Sequence, residues 1–557
     1  MTTWDATDRP IGGRATPIAD PMQEEKITRT YPKWEGRILA LAVLAVSLFV
    51  GYVLVFRYKI IYVDAWTRAL EPLYTVFQPG FHLAAIGFVW NPLPSLLMLP
   101  FAIFRDVWPP LMQLGFASNI LSSLFAGVAV YHLDRILWRF GFGRTARILW
   151  CLLYIAAPLI LLYSGNGMTD GMACATFIAS LDGVIEYFQD GRMSGMIRAG
   201  VWIAAAFMIR YEAIPVGGLL GIGIALTIWR SEGNRKKGIA FFILFIFLEV
   251  SAVVVWMLLN WMIMKNPLYF LTSHSGNASQ VSAGRYNTPF MLAARHHLSI
   301  ATLEVLGFTV LFVPFLPAAV AVALLQLRRK PDPLGLPLLF ASFGAPVLQI
   351  VLLYLHKSAD WERFFIYYIP FGFILCAYLV YVTRKKWEGL ALGAWLPLVA
   401  CVVLASADFV GFKAIQSPVW GHGDNAFVSR ILQGTVRSGG ESSSTYMKTG
   451  VQIADYINTH PHLTVLLSTF NSFGAIPFIK NPAQVVITNE ADFRSVMLNP
   501  RGRVNSIIIG DPKAPDAMAD VLVRTYPTMY FGGVPWVKFV HQFPGGYRLF
   551  HVLPSAP

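Results

Sequence analysis

Asp64 stands just beyond the first membrane-length apolar run, in Ile61-Tyr62-Val63-Asp64-Ala65-Trp66-Thr67-Arg68, and a second isolated carboxylate, Asp170, follows Asn166-Gly167-Met168-Thr169 at the head of another apolar run. An ionised group at a membrane boundary is costly unless it is partnered or used. If used, such a carboxylate can take the proton of an attacking hydroxyl, a contribution of about 10² to 10⁴ in rate. If merely partnered, Asp64 would pair with Arg68, four residues on, along an interfacial helix. Asp170 would then complement the positive end of a helix dipole, a role compatible with chemistry.

A departing phosphate demands fixed positive charge where negative charge develops. Arg210, in Met208-Ile209-Arg210-Tyr211-Glu212, falls in a tight turn between two short apolar runs, with Glu212 or Glu249 as structural partners if it does no chemistry. Arg285, Lys357 and Arg363 are the further phosphate-binding candidates, and Arg68 and His274 the candidates for contacting an acceptor or closing a loop. His274, His296 and His297, with Asp360 or Glu362, could in principle hold a divalent metal. Adjacent histidines do not share a helix face, however, and no HExxH-type spacing occurs, so neither a metal nor another cofactor is expected.

The elements that must position these groups follow from composition. The 557 residues are 55% hydrophobic and only 13% charged, which excludes an ordinary soluble domain and identifies a polytopic α-helical membrane protein. The net charge of +13 comes from short Lys and Arg groups that punctuate apolar runs, a topology signal rather than a nucleic-acid surface. Cys151, Cys174, Cys376 and Cys401 all lie inside apolar runs and read as packed side chains.

A bilayer core needs roughly 20 apolar helical residues. About eleven segments approach that: 38–56, 112–134, 147–163, 169–188, 197–209, 212–229, 238–262, 301–327, 335–355, 363–382 and 389–407. Every second connection is basic: Arg135 to Arg147, Arg192 and Arg198, Arg230 to Lys237, Arg328 to Lys330, and Arg384 to Lys386. By the positive-inside rule these connections face the cytoplasm, with the N-terminus. The segment from Trp90 to Phe104 has 15 residues and three prolines, and reads as interfacial or re-entrant, because a crossing there would invert every later basic loop.

The expected organisation is a disordered cytoplasmic tail over 1–37, a membrane domain over 38–410 with large outer loops at 57–111 and 263–300, and a soluble extracytoplasmic α/β domain over 411–557. In that tail domain, 463–468, 484–488, 505–510 and 547–552 read as strands, and 451–458, 491–498 and 514–526 as helices. If span one continued as helix from Ile38, Asp64 would lie about 39 Å along it, near the lipid headgroups.

This layout resembles the GT-C superfamily of polyprenyl-phosphate-sugar-dependent glycosyltransferases, in particular protein O-mannosyltransferases and lipid A aminoarabinose transferases. The likeness covers roughly residues 38–390. Asp64 matches the family's first-loop acidic position, its proposed base. Asn166-Gly167-Met168-Thr169-Asp170 resembles its second acidic motif, and Trp361-Glu362-Arg363-Phe364 with Tyr367, Tyr368 and Pro370 resembles the Arg-Tyr-Pro start of a late span. Two features depart from the family. Asn91-Pro92-Leu93-Pro94 stands where many relatives carry a basic residue before the Pro-rich segment, which shifts weight onto Arg210, Arg285 or Lys357, and Asp64 lacks an adjacent acidic partner.

The resemblance implies an inverting transferase that moves one sugar from a polyprenyl-phosphate donor to a hydroxyl on a glycolipid, polysaccharide or protein, in a bacterial inner or plasma membrane. The rival class is a transporter or lipid flippase, which should show repeated halves and mid-membrane ionisable groups.

Overall fold

The computed structural model describes residues 30–554, apart from 79–82, 274–275, 277–280, 282–286, 330–331, 387–390, 422–423, 425–427, 429–430, 433–440, 491, 515–516 and 518–519. Runs of Leu, Ile, Val, Phe and Ala with few breakers form long helices because lipid offers backbone groups no alternative partner. Helix α1 spans Lys33–Tyr52 and passes into a wider turn at Val53–Arg57. Two shorter helices follow, α2 at Val63–Phe77 and α3 at Leu93–Ala102. The bundle continues with α4 Phe116–Arg139, α5 Arg144–Ala156, α6 Pro158–Gly165, α7 Thr169–Asp190, α8 Met193–Ile209, α9 Ala213–Glu232 and α10 Arg235–Met264. It is completed by α11 Leu298–Phe312, α12 Leu316–Arg329, α13 Gly335–Tyr354, α14 Tyr368–Lys386 and α15 Ala391–Ile415.

Among the described residues, eight helical segments are long and apolar enough to cross a membrane, and ten if each of two bent pairs counts as one. The chain is an integral membrane protein. The bent pairs, α5 with α6 at 74° and α11 with α12 at 100°, occupy the third and eighth predicted spans. The bend of the first pair falls at Pro158, where proline cannot donate to the preceding turn. Helix α8, at the fifth predicted position, has 17 residues, about 25 Å, and is short of a full crossing. The Trp90 to Phe104 segment forms only the ten-residue α3.

Three expectations need correction. Helix α1 begins at Lys33 rather than 38, and α15 runs to Ile415, past the expected boundary at 410. The chain does not stay helical as far as Asp64: it breaks after Arg57, with Lys59 at a φ of 54°, and α2 starts afresh at Val63.

The helix ends sort into two sets. At one end Arg135, Arg139 and Arg198 converge on Asp182, Glu186 and Asp190, while Arg147 bridges Glu35 and Asp134. Two of the connections that are basic in sequence, Arg135 to Arg147 and Arg192 with Arg198, therefore meet in space. Helices α7 and α8 run close together, since a Cβ on Gly183 would lie 2.6 Å from the Gly195 carbonyl oxygen, and Ser180 Oγ donates to Ala199 O at 3.0 Å. That contact brings the C-terminal end of α8 beside the N-terminal end of α7.

Beyond α15, helix α16 (Glu441–Thr459) precedes β1 Val465–Leu467, β2 Val485–Ile487, β3 Ser506–Ile509, β4 Val537–Phe543 and β5 Tyr547–Val552. The sheet order is β2-β1-β3-β5-β4, with β1 parallel to β2 and β3, and β5 antiparallel to β3 and β4. Four of these strands lie in stretches that read as strands. The fifth, β4, is an edge strand whose Val-Lys-Phe-Val-His-Gln-Phe run is exposed along most of its length and carries a register shift between Phe539 and His541, so no clean alternation marks it. Within the helix expected over 514–526, the described residues form a helix at Val521–Thr525, and 515–516 and 518–519 lie outside the described residues. The sheet packs on the membrane part: Phe473 meets Trp66 of α2 edge to face at 5.2 Å, and Asn489 Nδ2 donates to Ala85 O at 3.4 Å.

Candidate active site

Helix α2 buries Ala65, Trp66, Ala69, Leu70 and Leu73 on one side, and that apolar stripe leaves its second residue, Asp64, partly exposed. The Asp64 side chain is 42% exposed, and its Oδ2 lies 3.0 Å from Arg363 Nη1. Arg363 sits in the tight turn Glu362–Phe365 just before α14. The rings of Trp361 and Phe364 lie 4.4 and 5.1 Å from its guanidinium carbon, so aromatic faces hold the fork in one orientation.

Asp170, by contrast, is fully buried in the first turn of α7. Its Oδ1 is 3.1 Å from Arg210 Nη1, yet neither carboxylate oxygen receives an aligned hydrogen bond among the described residues. A buried carboxylate held by charge alone is expensive and is retained where the charge matters. The turn before it, with Gly167 at a φ of +82°, is pinned by Asn119 Nδ2 donating to Gly165 O at 2.6 Å. A Cβ on Gly167 would meet that of Ala65 at 3.0 Å, so this glycine lets the Asp170 loop lie against α2.

Arg210 caps the C-terminus of α8 and reaches in two directions, to Asp170 and to Glu212, whose Oε1 lies 2.6 Å from Nη2. Burial opposes the charge of Arg210, but Asp170 and Glu212 outweigh it and hold the guanidinium above its ordinary pKa. Burial likewise opposes the charge of Glu212, and Arg210 overcomes it, keeping that carboxyl below the usual range. Arg210 stays a cation beside Asp170 across the physiological range. Glu249, its other structural partner considered from sequence, lies against Gly217 of α9 instead.

Arg68 does not pair with Asp64. It is buried, its guanidinium 4.6 Å from the Trp90 ring centroid and its Nη1 donating to Asn91 O at 3.3 Å. Burial lowers the Arg68 pKa against the pull of Glu71, while burial raises Glu71 to about 8 against Arg68 and the Ser95 hydroxyl. Lys357 is exposed in the turn after α13, where its electrostatic neighbour is His356. Among the described residues no ion pair joins Lys357 to either carboxylate. Arg285 and His274 lie outside the described residues, and among those described no group of three or more His, Cys, Asp or Glu could hold a metal.

The arrangement thus gathers Asp64, Asp170, Arg210 and Arg363 at one end of the bundle. Asp64 is partly exposed and Asp170 is closed off; Arg363 holds Asp64, while Arg210 holds both Asp170 and Glu212. Sequence reasoning missed Asp424, which accepts the hydroxyls of Tyr62 and Tyr163. Nothing in Gly421-His422-Gly423-Asp424 marks it, because its partners lie 362 and 261 residues away.

No family model matches the chain, and no curated protein matches its sequence. Solved structures do. The structure of ArnT from Cupriavidus metallidurans bound to undecaprenyl phosphate is 12% identical, superimposes with a TM-score of 0.53, and the match covers 93% of this chain and 99% of that one. The apo state of the same protein gives 13% identity and a TM-score of 0.53 over 93% of this chain and 98% of that one. At this identity the likeness concerns the fold alone, and over nearly its whole length the chain shares the fold of the ArnT structures.

Proposed function

We propose that the chain is a membrane glycosyltransferase that moves a single sugar from a polyprenyl-phosphate donor to an acceptor hydroxyl on a glycolipid, polysaccharide or protein at the extracytoplasmic face. The observation that carries this reading is the Asp64–Arg363 pair, an exposed carboxylate joined at 3.0 Å to a guanidinium that is fixed between two rings. The ArnT structure with undecaprenyl phosphate adds support, since that fold accommodates a polyprenyl phosphate.

In this reading Asp64 takes the proton of the acceptor hydroxyl as its oxygen bonds to the anomeric carbon. The bond from that carbon to the phosphate oxygen breaks at the same time, and its electron pair leaves with the prenyl phosphate. One direct displacement inverts the anomeric configuration. Arg363 and Arg210 supply fixed positive charge for the departing phosphate, and Asp170 holds Arg210 in place. The donor keeps its prenyl chain in the bilayer, and the tail domain lies over α2, where an acceptor would be positioned.

The test is to incubate purified protein with labelled polyprenyl-phosphate sugars and follow release of prenyl phosphate. Release by the parent and loss in Asp64→Asn is the expected result; normal turnover by Asp64→Asn removes Asp64 as the base.

A further inference from the structure

Asp424 lies beyond the last apolar helix, on the way into the tail, yet its side chain is buried among residues that lead directly into the Asp64–Arg363 pair. Its Oδ1 accepts the Tyr62 hydroxyl at 2.7 Å and its Oδ2 accepts the Tyr163 hydroxyl at 2.8 Å. Its backbone N–H donates to Glu362 Oε1 at 3.1 Å. Tyr62 is the cap residue of α2, two positions before Asp64; Glu362 immediately precedes Arg363; Tyr163 belongs to α6, which leads into the Asp170 turn. The Tyr62 and Tyr163 rings also meet edge to face at 6.2 Å. One residue therefore touches three of the four segments that present the candidate site, all but the end of α8 that carries Arg210.

The chemistry of these contacts is unusual for a structural tie. Among the described residues no ion pair joins Asp424 to an Arg or Lys; its buried carboxylate accepts two phenol hydroxyls and lies beside the Glu362 carboxyl. Bonds to a charged acceptor are stronger and more directional than neutral ones, and a small polar network in a dry site fixes its members in one arrangement. Burial, and then the Asp424 charge, raise the pKa of Tyr62, so its hydroxyl stays protonated and donating.

We propose that Asp424 is a positioning residue: by gripping Tyr62, Tyr163 and Glu362 together it sets the start of α2 against the Arg363 turn, and so fixes the geometry of Asp64 and Arg363 for transfer. It touches no reactant. A residue from beyond α15 thereby becomes part of the site. The turnover arm of the test below rests on the function proposed above, whereas the exchange arm does not.

The test compares the full-length parent with Asp424→Asn and Tyr163→Phe. Peptide-resolved hydrogen exchange over residues 60–72 and 360–370 should speed up about tenfold or more in Asp424→Asn, while the distant ends of α7 and α8 keep parental rates. With labelled polyprenyl-phosphate sugar, kcat should fall about 10- to 100-fold with the donor KM changed less than about twofold, as misplacement of a reacting group predicts. Tyr62→Phe combined with Asp424→Asn should lose no more than the worse single variant, since both remove one contact. If Asp424→Asn does not fold, Tyr163→Phe removes one bond while keeping the ring, and should show the same pattern at smaller amplitude. Unchanged exchange in both segments overturns the proposal. So does faster exchange with parental kcat. If the parent releases no prenyl phosphate, the proposed function fails instead, and the exchange rates alone decide for or against the clamp.

Discussion

Arg363 Nη1 lies 3.0 Å from Asp64 Oδ2 across 299 residues of chain, and this pair joins the first extramembrane helix to the head of the late helix α14. A guanidinium on one carboxylate oxygen leaves the other free. That is the geometry a base needs if it is to be held in place and still meet a hydroxyl.

Replacing Asp64 with Asn keeps the shape of the side chain and removes its basicity. Turnover of a labelled polyprenyl-phosphate sugar should fall by about 10² to 10⁴, while binding of the prenyl phosphate measured separately should hold within about twofold. A comparable loss of donor affinity would show that Asp64 binds rather than reacts.

Arg210 should reveal itself first through stability. Arg210→Ala strands the buried Asp170, and breaking a buried pair from one side costs about 3 to 5 kcal/mol. The melting temperature in detergent should drop sharply, and Asp170→Asn added to Arg210→Ala should restore much of it without restoring turnover. If Arg210→Ala melts like the parent, the pair does not carry the role assigned here.

Stability should also depend on pH through Glu71. Burial lifts its carboxyl from the ordinary 4.5 to about 8 in the folded protein. Between those two values the folded state holds a proton that the unfolded state has released, so stability falls as pH rises and levels off above the folded value. Thermal melts from about pH 5 to about pH 9 should show this decline, and Glu71→Gln should flatten it. A Glu71→Gln protein with the parental slope would place the titrating group elsewhere.

The contact of α7 with α8 offers a packing test. At Gly183 a Cβ would lie 2.6 Å from a backbone oxygen that cannot move aside cheaply. Gly183→Val should destabilise by about 1 to 3 kcal/mol and reduce turnover by moving Arg210 off Asp170. Parental activity in a clearly destabilised Gly183→Val would uncouple that helix contact from the site.

Apolar runs and basic connections were legible without coordinates because hydrocarbon leaves a chain few choices: long runs must be helical, and ionised groups must gather at their ends. Asp64, Asp170, Arg210 and Arg363 stood out for that reason, as polar residues where lipid disfavours them. Local chemistry also marked four of the five tail strands. Spatial pairing was not legible. Asp64 and Arg68 have the spacing of a helical ion pair, yet Arg68 turns beneath Trp90 because the carbonyl of Asn91 and the nearby Glu71 compete for it. Arg363 reaches Asp64, and Asp424 reaches Tyr62, only once the bundle has closed. Periodicity and charge report what each segment must bury, whereas the partner of a buried ion is chosen by the packing of segments hundreds of residues apart.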